Sequence, residues 1–167
     1  MTVLNLVFGR PSREIHPPGF GYLVPRPVGG YSGDDMGILG TVFDSCSLGA
    51  QDDVPQASSG ITKMTVMLGG PYLSTTSSSF TEADLARVLE ILTFQLGRFS
   101  PLPDPIYWRA WENAECIPVL GVGHLGRIEE MRQAVDMVGW GGRLEVVGAG
   151  VGGVSVGDCL EAGRRVG

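Results

Sequence analysis

Two histidines and three cysteines are all this sequence offers of the imidazole and thiolate ligands that build zinc sites. Cys46, Cys116 and Cys159 are odd in number and widely spaced, with no C-x-x-C pair. That argues against a disulfide framework or a zinc site and fits a reducing compartment. Each cysteine is expected to be a small buried apolar side chain. With only His16 and His124, a histidine-based nucleophile system has little support. No stretch approaches the roughly 18 consecutive apolar residues that a membrane span needs. The segment Met1 to Arg10 lacks the basic-then-apolar pattern of a signal peptide, and it is not an Arg-rich amphipathic transit peptide. Positive charge is scarce too: 12 Lys and Arg against 18 Asp and Glu give a formal net charge of -6. The basic residues form no stripe, so nucleic acid is not an expected partner.

What is present is enough to fold. The 167 residues suit about one domain, and 43% hydrophobic content with mean hydropathy +0.15 can supply a packed core. The amino-terminal half reads as β, with strand candidates at Met1 to Phe8, Gly19 to Pro25, Gly37 to Ser45 and Thr62 to Gly70. The links Pro25 to Met36 and Cys46 to Ile61 hold Gly, Pro, Ser, Asp and Gln and read as surface loops. Sequential strands joined this way predict an antiparallel sheet. A helix follows, capped by Ser79 with Glu82 or by Thr81 with Asp84. Leu85, Val88, Leu89, Leu92 and Leu96 share one face, and Gly97 suits the left-handed position past the end. Pro105 to Trp111 is a fifth strand candidate. A second helix spans about His124 to Val138, with Ile128, Met131, Val135 and Val138 on one face as core. Arg143 to Ala149 is a last strand candidate, leading through a glycine-rich turn into a short helix opening near Asp158. The expected class is α+β (α/β), with a mixed, mostly antiparallel sheet and flanking helices.

The turn Gly148, Gly150, Gly153 matches G-x-G-x-x-G between a strand and a helix. Alone it argues for a dinucleotide site. Such a site also needs a following strand and an acidic residue about 20 positions on, and the sequence runs only to Gly167. The same geometry has a second use. Backbone N–H groups at a helix amino terminus, here around Val154, Ser155 and Val156, can face an anion or an electron-rich ring edge. A purely structural turn is the alternative.

Five stretches, in order, resemble the protoporphyrinogen oxidase family of the flavin-containing amine oxidase superfamily. They are GFGYLVP at Gly19 to Pro25, GILGTVFDS at Gly37 to Ser45 and TVMLGG at Thr65 to Gly70, followed by CIPVLGVGHLGRI at Cys116 to Ile128 and GGVSVGDCLEAGRR at Gly152 to Arg165. The resemblance covers nearly the whole chain and points to the family's carboxyl-terminal portion. It implies non-covalent FAD and the six-electron oxidation of protoporphyrinogen IX to protoporphyrin IX by dioxygen, with release of peroxide. That places the reaction in haem biosynthesis. The flavin accepts hydride, and the protein supplies position and surroundings.

Carried over position by position, the resemblance implies flavin contact by Val154, Ser155 and Val156. It implies a substrate pocket lined by Phe20, Gly21, Leu23, Met67 and Ile117. A large apolar macrocycle suits a wall of Phe, Leu, Ile and Met, and Gly21 would let it approach the backbone. Ordinary core is the alternative for the four side chains. No catalytic side chain and no metal is implied. Trp111 does not match the family's aromatic position cleanly and stays outside this set; His124 is expected to cap its helix or pack.

The family's opening G-x-G-x-x-G, its membrane-associated helical segment and its propionate-facing arginine have no match in these residues. The expected division is therefore a substrate-binding portion at 1–142 and a carboxyl-terminal FAD-binding segment at 143–167, with the amino-terminal FAD-binding half as the missing partner. A peripheral place on the mitochondrial inner membrane would follow for the complete enzyme only, and the chain alone is expected to be inactive and poorly soluble. A non-catalytic binding or interaction module with the same fold is the second reading, and another flavin amine oxidase the third.

Overall fold

The computed structural model describes residues 1–25, 28, 36–52, 60–69, 80–114, 116, 118, 120–137 and 139–166. Two compact units divide the chain, Met1–Ala114 and Glu115–Gly167.

The first unit is a five-stranded sheet covered on one face by a helix. Its strands are β1 (Thr2–Phe8), β2 (Gly21–Leu23), β3 (Ile38–Val42), β4 (Thr62–Leu68) and β5 (Tyr107–Glu112). The order across the sheet is β2-β3-β4-β1-β5, and every neighbouring pair is antiparallel. Alternation decides which side chains go inside. Leu4, Leu6 and Phe8 of β1 and Met64, Val66 and Leu68 of β4 share the inner face, each 3% exposed or less. Burying a side chain of this size contributes about 1.5–3 kcal/mol, so these two central strands anchor the unit.

Helix α3 (Glu82–Gln95) lies over that inner face through Leu85, Val88 and Leu92, with Leu89 and Leu96 at its margin. Two shorter helices, α1 (Ser12–Ile15) and α2 (Asp44–Ser47), precede it in the chain. The cap of α3 is Thr81 with Asp84, each side chain bonding the other's backbone N–H; a capping box of this kind is worth about 1 kcal/mol. The competing cap at Ser79 lies outside the described residues, as does the run Ser74 to Ser79. Gly97 closes the helix at φ +65°.

One expectation changes on this unit. The strand candidate Gly37 to Ser45 is strand only to Val42, and α2 begins at Asp44. The reason is a side-chain bond: Ser45 Oγ accepts the amide of Lys63 at 2.7 Å and ties the turn to the start of β4. His16, just past the end of α1, is 5% exposed and stacks on Phe43 with ring centroids 3.9 Å apart.

The second unit holds α4 (His124–Met137) and α5 (Val156–Val166). Neither helix has a buried residue. Ile128, Met131 and Val135 do share a face, but they are only half-buried, so Met131 is not core; Val138 is outside the described residues. The strand expected at Arg143 to Ala149 forms no ladder with any described residue. A strand is defined by its partner, and no described residue supplies one. Instead Leu144 and Val146 line a shallow cleft of about 130 Å³ with Met131 and Val135 of α4.

Candidate functional site

The sheet has a second face, turned away from α3, and register places its side chains in rows. One row runs Leu23, Gly40, Met67, Val3, Trp111 across β2, β3, β4, β1 and β5. The next runs Gly21, Val42, Thr65, Asn5, Arg109. With neighbouring strands about 4.8 Å apart, each row is roughly 19 Å long. The first row is apolar throughout. In the second, Asn5 Nδ2 donates to Thr65 Oγ1 at 2.9 Å, and Thr65 Oγ1 donates to Asp44 Oδ2 at 2.7 Å. An apolar stripe thus lies beside a polar one.

This arrangement brings together several of the expected substrate residues. Leu23 and Met67 lie in the same row, separated only by Gly40. Leu23 is 77% exposed and Phe20, just before β2, is 72% exposed. Neither is ordinary core, and Met67 is half-buried on the open face rather than the inner one. Ile117 lies outside the described residues.

Gly21 has a reason of its own. At φ +150° its Cβ would stand 2.2 Å from the Thr41 carbonyl oxygen, so the close approach it permits is that of β3. Gly40 serves the β2–β3 pair in the same way: a Cβ there would stand 2.7 Å from the Tyr22 carbonyl oxygen, with Leu23 Cδ2 at 2.9 Å, so β2 can lie this close only because the side chain is missing.

Trp111 is the residue the sequence left out. It sits at the end of the apolar row, 50% exposed, with the Arg109 guanidinium carbon 3.8 Å from its ring centroid. Strand register was the missing signal: Val3 pairs with both Met67 and Trp111, and that cannot be read from spacing along the chain.

In the second unit, Ser155 caps α5. Its hydroxyl donates to Asp158 Oδ2 at 2.7 Å, its amide donates to the same oxygen at 3.2 Å, and the Asp158 amide donates back to Ser155 Oγ at 3.0 Å. The Ser155 hydroxyl, followed by the Ser155 amide, holds the Asp158 carboxyl below its usual range. The helix terminus therefore already carries its anion. Gly153 follows from this, since a Cβ there would be 2.5 Å from Asp158 Oδ2. The third glycine of G-x-G-x-x-G makes room for the chain's own carboxylate, not for a pyrophosphate.

Val154 and Val156, on either side of Ser155, are exposed. His124 joins this turn by a 2.5 Å bond between Nε2 and the Gly150 carbonyl oxygen, so it packs as expected.

None of the three cysteines is fully buried: Cys46 and Cys116 are exposed and Cys159 is half-buried, contrary to the expectation of small core residues. Cys46 follows the turn that the Ser45 bond fixes, and Cys116 and Cys159 belong to the unit without buried side chains. Among the described residues no cluster of His, Cys, Asp or Glu could hold a metal, and no helix is long and apolar enough to cross a membrane.

No family model matches the sequence. Individual proteins do. A protoporphyrinogen oxidase of Macaca fascicularis is 36% identical over 99% of this chain and 32% of its own length, and that of Homo sapiens is 35% identical over the same shares. The Schizosaccharomyces pombe protoporphyrinogen oxidase is 32% identical over 87% of this chain and 27% of its own length. A crystal structure from Exiguobacterium sp. 255-15, provisionally assigned as a protoporphyrinogen oxidase, superposes with TM-score 0.65 and 18% identity over 98% of this chain and 32% of that one. That structural likeness speaks for the fold. Along 99% of its length, then, the chain is similar to the protoporphyrinogen oxidases of these organisms, and it spans about a third of the length of these relatives.

Proposed function

We propose that this chain is the substrate-facing and flavin-closing part of an enzyme that oxidises protoporphyrinogen IX to protoporphyrin IX. The observation that carries the reading is the apolar row Leu23, Gly40, Met67, Val3, Trp111 on the sheet face opposite the α3-packed core, with Leu23 and Trp111 exposed at its two ends. An exposed apolar stripe of this length marks a ligand or partner surface. A flat, apolar macrocycle matches its shape, and Phe20 extends the wall beyond β2. Ile117 is implied in the substrate pocket by the resemblance alone.

The cofactor in this reading is FAD, which supplies a hydride acceptor that dioxygen restores. Six hydrogens leave the macrocycle as three hydride-and-proton pairs, and three dioxygen molecules carry them away as hydrogen peroxide. The residues of this chain bind and orient. The apolar row holds the macrocycle and excludes water from one of its faces. Val154, Ser155 and Val156 would face the ring portion of the flavin from a turn capped by the Asp158 carboxylate, and its phosphates would need donors beyond these residues. No side chain of the described residues is assigned a proton-transfer role.

A chimera tests this. The 167 residues replace the matching third of the human relative, and the product is assayed for retained flavin and for porphyrin fluorescence formed from the reduced macrocycle in air. The proposal expects both. A chimera that binds porphyrin yet retains no flavin and forms no product favours a non-catalytic binding module. Stoichiometric flavin on the unmodified 167-residue chain would show that this segment grips phosphates, against the reading.

A further inference from the structure

The polar row holds a hydrogen-bond chain whose direction is fixed. Asp44, Thr65 and Asn5 are all half-buried. Asp44 Oδ2 lies 2.7 Å from Thr65 Oγ1, and Thr65 Oγ1 lies 2.9 Å from Asn5 Nδ2. A carboxylate has no hydrogen to give, so the Thr65 hydroxyl spends its one hydrogen on Asp44. Toward Asn5 the same oxygen can then only accept. This settles which way the Asn5 amide is turned, with Nδ2 toward Thr65 on β4 and Oδ1 away from it. Among the described residues nothing donates to that oxygen. Water can satisfy it while the face is open. A ligand that covers it must bring a donor, or the carbonyl is left buried and unpaired at a cost. Asn5 is two residues from Val3 on β1, and Thr65 two from Met67 on β4, about 7 Å along each strand. A macrocycle laid over Val3 and Met67 therefore reaches the amide.

We propose that Asn5 Oδ1, oriented by Thr65 and Asp44, accepts a hydrogen bond from a pyrrole N–H of the ligand and so selects the reduced macrocycle over the oxidised one. The inference rests on the tetrapyrrole reading above and adds to it which oxidation state the face prefers and by which residue. In the reduced macrocycle every pyrrole nitrogen carries a hydrogen. Its saturated bridging carbons let the pyrroles tilt, which turns N–H groups out of the mean plane toward a facing acceptor. Oxidation takes two of these hydrogens from nitrogen and flattens the ring. The remaining N–H groups and the nitrogen lone pairs then lie in the ring plane, where neither half of a facing amide reaches them. Product formed on this face leaves Oδ1 covered and unpaired, which favours its release.

The test is a tryptophan-quenching titration of the chain, without dioxygen, with mesoporphyrinogen IX and with mesoporphyrin IX. The two ligands share their side arms and differ in oxidation state. One neutral hydrogen bond predicts a difference of about fivefold in affinity. Asn5→Leu should lower the ratio of reduced to oxidised affinity by that factor, with mesoporphyrin binding held or strengthened. Thr65→Val keeps the amide but releases its orientation, and should lower the ratio by a smaller amount. An unaltered ratio in Asn5→Leu would overturn the assignment while leaving the apolar row as a tetrapyrrole surface. An equal loss of both ligands at unchanged circular dichroism would also overturn it, because the side chain would then act by packing. If Asn5→Leu does not fold, Thr65→Val decides, and an unaltered ratio there counts against the proposal in the same way. Failure of the unaltered chain to bind either ligand would defeat the tetrapyrrole reading and this inference with it.

Discussion

Replacing Gly21 by alanine puts a methyl group where β3 already has a carbonyl. The new Cβ would lie 2.2 Å from Thr41 O and 3.0 Å from Val42 Cα, and both obstacles are backbone. A non-glycine residue at φ +150° is itself strained, at about 1–3 kcal/mol. Gly19 provides a control, because it has nearly the same φ, +154°, with nothing within 4 Å of its Cβ. Gly19→Ala therefore carries the strain without the clash. Relieving the clash means moving β2 away from β3, which adds about 1–3 kcal/mol. Gly21→Ala should lower the urea unfolding free energy by that much more than Gly19→Ala does. It should also speed amide exchange at Val24 and Phe43, whose N–H groups bond Leu39 and Phe20 carbonyls across this pair. The consequence for the site is direct, since β2 carries Leu23 and follows Phe20. Equal stability of the two variants, with unchanged exchange at Val24, would refute the argument that β3 is what requires glycine at 21.

Two further outcomes concern titrating groups. Burial pushes the His16 imidazole below its ordinary value of 6.5, partly offset by its bond to the Pro17 carbonyl. The unfolded chain then binds the proton more readily, so stability should be complete above about pH 6.5 and fall as the pH drops through that value. His16→Gln should flatten this part of the curve in urea melts at stepped pH, and a slope unchanged by the substitution would point to another group. Ser155→Ala should return the Asp158 carboxyl toward its usual range and fray the first turn of α5. Carboxyl titration by NMR reads the first effect and amide exchange at Cys159 the second; an unmoved Asp158 titration would mean that Ser155 does not hold it.

Elements with strong alternation or a clear cap were legible in the sequence. β1 and β4 alternate without interruption, so their inner faces follow from period two. Helix α3 carries both its cap and its apolar face in its own residues. The failures have a common cause. Arg143 to Ala149 has strand composition, but a strand needs a partner, and partnership is not encoded locally. Met131 has core spacing on α4, yet Leu144 and Val146 cover that face only partly and leave it half-buried.

The candidate site was legible in the same uneven way. Resemblance named Leu23 and Met67, and only the pairing register shows that Gly40 joins them and that Val3 and Trp111 complete the row. The glycine turn was visible as a pattern. What it accommodates, the carboxylate of Asp158, depends on a side-chain rotamer that no pattern specifies.

The central claim is that the sheet face opposite α3 is where a tetrapyrrole lies. Methyl NMR of the chain titrated with mesoporphyrin IX reads this most directly, because the macrocycle's ring current moves any methyl group it covers. The account predicts large shifts for Leu23, Met67 and Val3 and none for Leu4, Val66 or Leu92 on the packed face. Shifts confined to the packed face, or none on the row from Leu23 to Trp111, would contradict it.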